Sequence, residues 1–198
     1  MPRIGAEPLR RQSLIDAAIA TIGEQGSLDV SVKRIAGRAG MSPALAFHYF
    51  GDKDEIILAT MRHLLREFSR QVTEGLKHAD GPRGRVEAVI EASFGADQFA
   101  RTTIAAWLVF YLHAYSSPPA ARLLGIYTRR LRSNLVDALR QLLPVAEAAV
   151  AAETLAAIID GLYVRHALRT GGPDAGKAIR ICRTCLDRHL GLAEGERA

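Results

Sequence analysis

An all-α fold is what this sequence predicts, and three observations carry the prediction. Apolar residues recur at helical spacing from Ile15 onward. Breaks rich in glycine and proline divide the chain into nine or ten such segments. No stretch shows the sustained apolar–polar alternation of a strand.

The first segment sets Ile15, Ala18, Ile19 and Ile22 at i, i+3, i+4 and i+7, one stripe of a helix. Pro8 suits its first turn and Gly26 its stop. Ser31 can cap a short helix carrying Ile35, Ala36 and Ala39, which Gly40 ends. Ser42 then caps a second short helix with Pro43 at its first position. Asp52 and Glu55 have capping-box spacing and open a long helix to about Leu76. ADGPRG (79–84) breaks the chain, and Val86 to about Phe94 reads as helix. TTIAAWLVFYLHAY (102–115) is too apolar for a surface helix, which predicts a central one. SSPP (116–119) breaks again. A helix through ARLLGIYTRRLRSNLVDALRQLL follows, stopped by Pro144. AEAAVAAETLAAIIDGLYVRHALRT forms the next, ended by Gly171-Gly172-Pro173. The last runs from Asp174 to about Leu190.

Composition sets bounds. With 198 residues, 48% hydrophobic, the chain can bury a core. No apolar run reaches the roughly 18 residues of a membrane span. The start, MPRIGAEPLRRQ, lacks the apolar stretch of a secretory signal. A cytoplasmic protein without a membrane partner is therefore expected. Two cysteines are too few for a disulfide framework. The net charge of +5 permits a polyanionic partner, yet residues 1–53 hold only seven Lys/Arg against five Asp/Glu. Charge alone is a weak pointer to nucleic acid.

The short helix after Gly40, SPALAFHYF, is more informative. Leu45, Ala46, Tyr49 and Phe50 share one face; Pro43, Ala44, Phe47 and His48 share the other. The first set can pack on the Ile35/Ala36/Ala39 helix across the tight turn. Two short helices joined this way form a helix-turn-helix unit, whose second helix enters the major groove of double-stranded DNA. His48 can then donate or accept at a base edge, and Phe47 can meet a thymine methyl. The Tyr49 hydroxyl and the Lys53 ammonium can reach phosphates, the latter at a helix N-terminus that favours anions. Lys33 and Arg34 would straddle the backbone. Ser31, Ser42, Pro43 and Ala44 complete the candidate DNA-binding set. Read blandly, the same aromatics make only a packed core helix; the caps, the turn and the two-faced pattern together favour DNA.

SVKRIAGRAGMSPALAFHYFGDKDEII (31–57) resembles the DNA-binding signature of TetR-type repressors. Ile35-Ala36, the Ala39-Gly40 turn, Ser42, the aromatic cluster ending in Phe50 and Lys53 carry the likeness. Ala44 departs from the family's usual glycine. The resemblance extends through MPRIGAEPLRRQSLIDAAIATI, AAWLVFY, RRLRSNL and IIDGLYVRHAL to the branch of the family that answers choline and represses glycine betaine synthesis genes. It implies an all-helical homodimer on a palindromic operator, with no cofactor. It also implies a DNA-binding domain over 1–54 and a ligand-binding and dimerisation domain over 55–198. Two departures fall in the ligand half: Gly95 stands where the family has an aspartate after Phe94, and Tyr163 where it has tryptophan.

Other groups admit two readings each. Trp107, Phe110, Tyr111 and Tyr115 lie within three turns, as core packing or as a pocket wall whose faces hold a quaternary ammonium by cation–π attraction. Asp160 sits in an apolar helix and needs a partner, either an arginine or a cationic ligand. Phe94 and Tyr163 join these as candidate ligand contacts. Arg129, Arg130 and Arg132 form a solvated or ion-paired face, or meet a carboxylate between domains. Cys182 and Cys185 lack the second pair that a zinc site needs, and no nucleophile–base or metal motif appears. The expected function is therefore a ligand-responsive, DNA-binding repressor, not an enzyme. Its alternatives are a repressor with a different, apolar effector, and a helical adaptor without DNA binding.

Overall fold

The computed structural model describes residues 6–192. The opening pentapeptide MPRIG, with Arg3, and residues 193–198 lie outside the described residues. Among the described residues there are nine helices and no strand. They are α1 (Ala6–Gln25), α2 (Val32–Arg38), α3 (Pro43–Phe50), α4 (Lys53–Lys77), α5 (Gly81–Ser93), α6 (Arg101–Ser116), α7 (Pro118–Leu139), α8 (Val145–Ala167) and α9 (Ala175–His189).

These pack as two compact units. One runs to Arg66 and takes in Arg101–Leu124; the other is Glu67–Ala100 with Gly125 onward. This grouping follows packing and does not coincide with the expected division at residue 54.

In the first unit α1 packs on α2 and on α6, and α2 on α3. Of the stripe read from the sequence, Ile15, Ala18 and Ile22 are buried and Ile19 is half-buried; Leu14, outside that stripe, lies inside with Ile35, Ile56 and Met61. Each large aliphatic side chain so buried stabilises by about 1.5–3 kcal/mol. The α1–α6 contact is close: a Cβ on Gly23 would lie 2.2 Å from the Thr102 carbonyl oxygen. The run 102–115 is not central throughout. Thr103, Ile104, Trp107, Phe110 and Ala114 are buried, but Leu112 is 74% and Tyr115 93% exposed. The cause is geometric. Each four-residue step overshoots one turn by about 40°, so a series through Trp107, Tyr111 and Tyr115 drifts off the packed face into solvent.

In the second unit α8 packs on α9, and α5 on α9. Phe94, Ile90, Leu131, Leu135, Leu155, Ile159 and Leu186 fill its core. Arg83 reaches Asp187 at 2.6 Å, and Arg183 reaches Glu91 at 2.6 Å, tying α5 to α9. Several boundaries differ from expectation: α7 begins at Pro118, inside the expected SSPP break, and α8 ends at Ala167, before Thr170. α5 begins at Gly81 rather than Val86, because Pro82 is well suited to a first turn. α7 ends at Leu139 rather than at Pro144. Its last turn tightens, with Gln141 N–H donating to the Ala138 carbonyl and Leu142 N–H to that of Leu139, and the residue before a proline resists helix.

Candidate nucleic-acid interface and effector groups

The helix-turn-helix is built by side-chain caps at both of its starts. Ser31 Oγ accepts from Arg34 N–H, and Ser42 Oγ accepts from Leu45 N–H, each at 3.2 Å. Between them α2 closes in a Schellman arrangement. Met41 N–H donates to the Ala36 carbonyl at 2.9 Å and Gly40 N–H to that of Gly37 at 3.1 Å. Gly40 takes φ 67°, which a side chain would resist. Asp52 Oδ1 accepts from Glu55 N–H at 2.8 Å and caps α4, leaving Lys53 as that helix's first residue.

The two faces of α3 separate as the pattern requires. Ala46 and Phe50 are buried, Leu45 and Tyr49 half-buried. Ala44, Phe47 and His48 are exposed and Pro43 half-buried; Phe47 keeps 45% of its surface open. A phenylalanine and a histidine held outward on a helix capped by Ser42 can enter a groove and meet base edges. Lys33, Arg34, Ser31 and Ser42 are also exposed, and Lys53 is half-buried.

Sequence reasoning missed what holds α3 in place. Arg11, on α1, donates to the Tyr49 carbonyl and stacks its guanidinium 4.4 Å from the Phe50 ring centroid. A cation at the last carbonyls of a helix also complements its dipole. Arg10 approaches the Tyr49 hydroxyl at 3.4 Å. Arg38 grips Glu24 with two hydrogen bonds of 2.6 and 2.8 Å, fixing α2 to α1 and holding the Glu24 carboxyl below its usual range. Arg34 donates to Gln25 at 3.1 Å. Nothing in local sequence separates such arginines from solvated ones; they are recognised only once α1 is docked.

The candidate ligand residues fall in both units. In the first, Trp107 and Phe110 are buried and Tyr111 half-buried; the Trp107 and Tyr111 rings lie 6.1 Å apart, tilted by 34°. Tyr115 stands in solvent and encloses nothing within its own chain. In the second, Phe94, Phe99 and Tyr163 form one cluster. Phe99 meets Phe94 edge-on at 5.0 Å and Tyr163 at 5.3 Å. The Tyr163 hydroxyl donates to the Ser93 carbonyl. Burial, and then the Asp160 carboxylate, push that hydroxyl well above the phenol range, so it stays protonated. Asp160 itself is half-buried. Of the arginine cluster, Arg132 pairs with Glu153 at 3.5 Å.

His166 closes this aromatic cluster, its ring 5.1 Å from that of Phe99. It is 5% exposed, and its Nδ1 accepts from the Asp174 backbone N–H at 2.9 Å. The ring is therefore neutral and tied to the start of α9. Burial first, then the positive charges of Arg169, Lys177 and Arg165, lower its pKa, with Asp174 opposing them. An unfolded histidine titrates near about 6.5. Below that pH the unfolded chain takes up a proton that the folded ring resists, so this contribution is whole above about 6.5 and declines as pH falls toward the folded value. Urea midpoints of the wild type should therefore drop between pH 7.5 and 5.5 more than those of His166→Asn, which keeps an acceptor near Nδ1 and cannot titrate. Equal drops would show that His166 does not carry the dependence.

Among the described residues no His/Cys/Asp/Glu group could hold a metal ion. Burial pushes the Cys182 thiol up to about 12 and raises that of Cys185 as well, so both stay unionised. No described helix is long and apolar enough to cross a membrane.

Comparison with known proteins agrees with this geometry. Residues 14–60 match the tetR family of bacterial regulatory proteins, and residues 82–191 match the C-terminal domain of BetI-type transcriptional repressors. The HTH-type transcriptional regulator BetI of Brucella suis is 60% identical over 181 residues, 91% of each chain. That of Agrobacterium fabrum is 48% identical over 100% of this chain and 97% of its own. Among solved structures, a transcriptional regulator from Pseudomonas aeruginosa PAO1 superposes with TM-score 0.74 at 28% identity, covering 96% of this chain and 93% of its own. A regulator from Saccharomonospora viridis, in complex with choline, shares the fold with TM-score 0.77 at 22% identity, covering 89% and 95%.

Proposed function

The chain belongs to the TetR family of bacterial regulatory proteins, with a BetI-type C-terminal domain, and from that premise we propose a homodimeric repressor of a palindromic operator that senses choline or a related quaternary ammonium. The family makes it a DNA-binding transcriptional repressor and not an enzyme. The observation that carries the DNA contact is α3, capped at its start, pinned at its end by Arg11, and presenting Phe47 and His48 outward. Ser31, Lys33, Arg34, Tyr49 and Lys53 supply the phosphate side of the proposal. An effector regulates such a protein only if it favours one spacing of the two reading helices over the other.

Gly161 supports the dimer. It is exposed in the interior of α8, and a Cβ there would have nothing within 4 Å. A helix-interior glycine costs about 0.5–1 kcal/mol relative to alanine, and its own chain gives no packing reason for it. Close approach of a second copy does. Glu147 and Arg165 lie five turns apart on the same exposed face. Antiparallel pairing with a second copy brings each charge to its opposite.

For the effector, a quaternary ammonium offers no N–H, so aromatic faces must hold it, each for about 0.5–2 kcal/mol. Two aromatic groups qualify: Trp107 with Tyr111, beside Phe110, and Phe94 with Phe99 and Tyr163, where Asp160 can balance the charge. Calorimetry with choline tests the reading. A loss of about 2- to 30-fold in Trp107→Ala would assign the cation to the first group. Loss in Phe99→Leu with Trp107→Ala unchanged would assign the cation to the second group. No heat from the wild type at millimolar choline would leave a repressor with another, apolar effector.

A further inference from the structure

The segment between α5 and α6 holds a polar group that the fold leaves unused. Ala96 and Asp97 point outward, whereas Gln98 is 2% and Phe99 4% exposed. Phe99 N–H donates to the Gly95 carbonyl at 2.8 Å, which closes the turn. Ser93, Tyr163 and His166, the polar members of the Phe99 cluster and its edge, are paired. Ser93 Oγ donates to the Val89 carbonyl, the Ser93 carbonyl accepts from Tyr163, and His166 Nδ1 accepts from Asp174. Gln98 Oε1 is buried with no hydrogen-bond partner, and so is Gln71 Oε1, which lies beside Gly95. Buried polar atoms in folded proteins nearly always have one, and an exception calls for an explanation. Leucine or methionine would fill this position without that penalty.

We infer that the side-chain amide of Gln98 is the hydrogen-bond partner of the effector's hydroxyl group, and so distinguishes a quaternary ammonium alcohol from one of the same shape without the alcohol. This rests on the effector reading proposed above, with the cation at Phe94, Phe99 and Tyr163. A quaternary ammonium alcohol has one hydrogen-bonding group, its hydroxyl, and the cation takes the aromatic faces. An amide carbonyl accepts from that hydroxyl; turned over, the amide NH₂ donates to it. Gln98 stands one residue from Phe99, so the polar and the aromatic requirements meet on one short segment. A site built to bond a hydroxyl discriminates against its absence, because the protein group is then left buried and unpaired.

The test pairs choline with propyltrimethylammonium, in which a methyl replaces the hydroxyl, on the full chain and on Gln98→Met and Gln98→Leu. The wild type is expected to prefer choline by about 2- to 12-fold, the worth of one hydrogen bond. Both variants should lose that preference while binding propyltrimethylammonium as well as the wild type does. Without ligand, both should melt at the wild-type temperature or above it, since a buried unpaired group has been removed. A preference that survives in the variants overturns the inference, as does a wild type that binds both ligands equally. Ligand-free variants that melt well below wild type, or do not fold, would also overturn it, by showing a partner for Gln98 inside the fold. Binding of neither ligand would instead defeat the effector reading itself.

Discussion

Gly161→Leu is expected to leave a well-folded monomer that binds its operator about 10²- to 10⁴-fold more weakly, the advantage that linking two half-site contacts confers. The substitution acts differently on the chain's own stability and on its assembly. Within the chain a side chain at 161 meets nothing within 4 Å, and leucine favours helix over glycine by nearly 1 kcal/mol. Melting should therefore be unchanged or improved when read at a concentration where the wild type is also monomeric. Between copies, Thr154, Ile158, Gly161, Arg165 and Leu168 recur at spacings of four and three, the seam along which helices pair. Leucine at its small position forces the two helices apart, twice over in a symmetric contact. Ile181, 38% exposed beside this seam on α9, supplies a second arm: Ile181→Asp puts a charge into the same contact. Light scattering at micromolar concentration and a gel shift on the operator read the outcome together. A Gly161→Leu chain that stays dimeric would remove α8 from the interface.

The architecture was legible because its signals are local. Ser31, Gly40, Ser42 and Asp52 each act within four residues of their own position, and all four occupy the cap or turn that the sequence assigned them. The outward placement of Phe47 and His48 followed from helical period alone. What was not legible depends on partners distant in sequence. Arg11 holds Tyr49 across 38 residues, and Arg83 holds Asp187 across 104. Nothing around either arginine marks it out before the helices are docked. Tyr115, offered by its spacing to the core or to a pocket wall, stands 93% exposed, because four-residue spacing approximates a helical face only over short distances. Gln98 was passed over because a glutamine in a turn looks solvated; only its burial makes it unusual.

His48→Ala and Lys53→Ala are expected to fail on DNA in different ways, and the difference identifies α3 as the reading helix. Both can be changed without touching the core. His48 is exposed, and Lys53 opens α4 beside an Asp52 cap that does not depend on it. A side chain that meets a base edge contributes about 1–3 kcal/mol of discrimination, so His48→Ala should cost the operator about 5- to 150-fold for each half-site and leave binding to unrelated duplexes nearly unchanged. A phosphate contact carries no sequence information. Lys53→Ala should thus weaken operator and unrelated DNA alike. It should also flatten the dependence of log affinity on log salt by about 0.9 for each ion pair lost, hence by about 2 in a dimer. Titrations of operator and scrambled duplexes across several salt concentrations measure both quantities at once. If His48→Ala weakened all duplexes equally and Lys53→Ala changed only the operator, the roles would be exchanged and the docking of α3 would have to be turned about its axis. If neither variant differed from wild type on the operator, the contact would lie on another surface, and the outward Phe47 and His48 would need a different explanation.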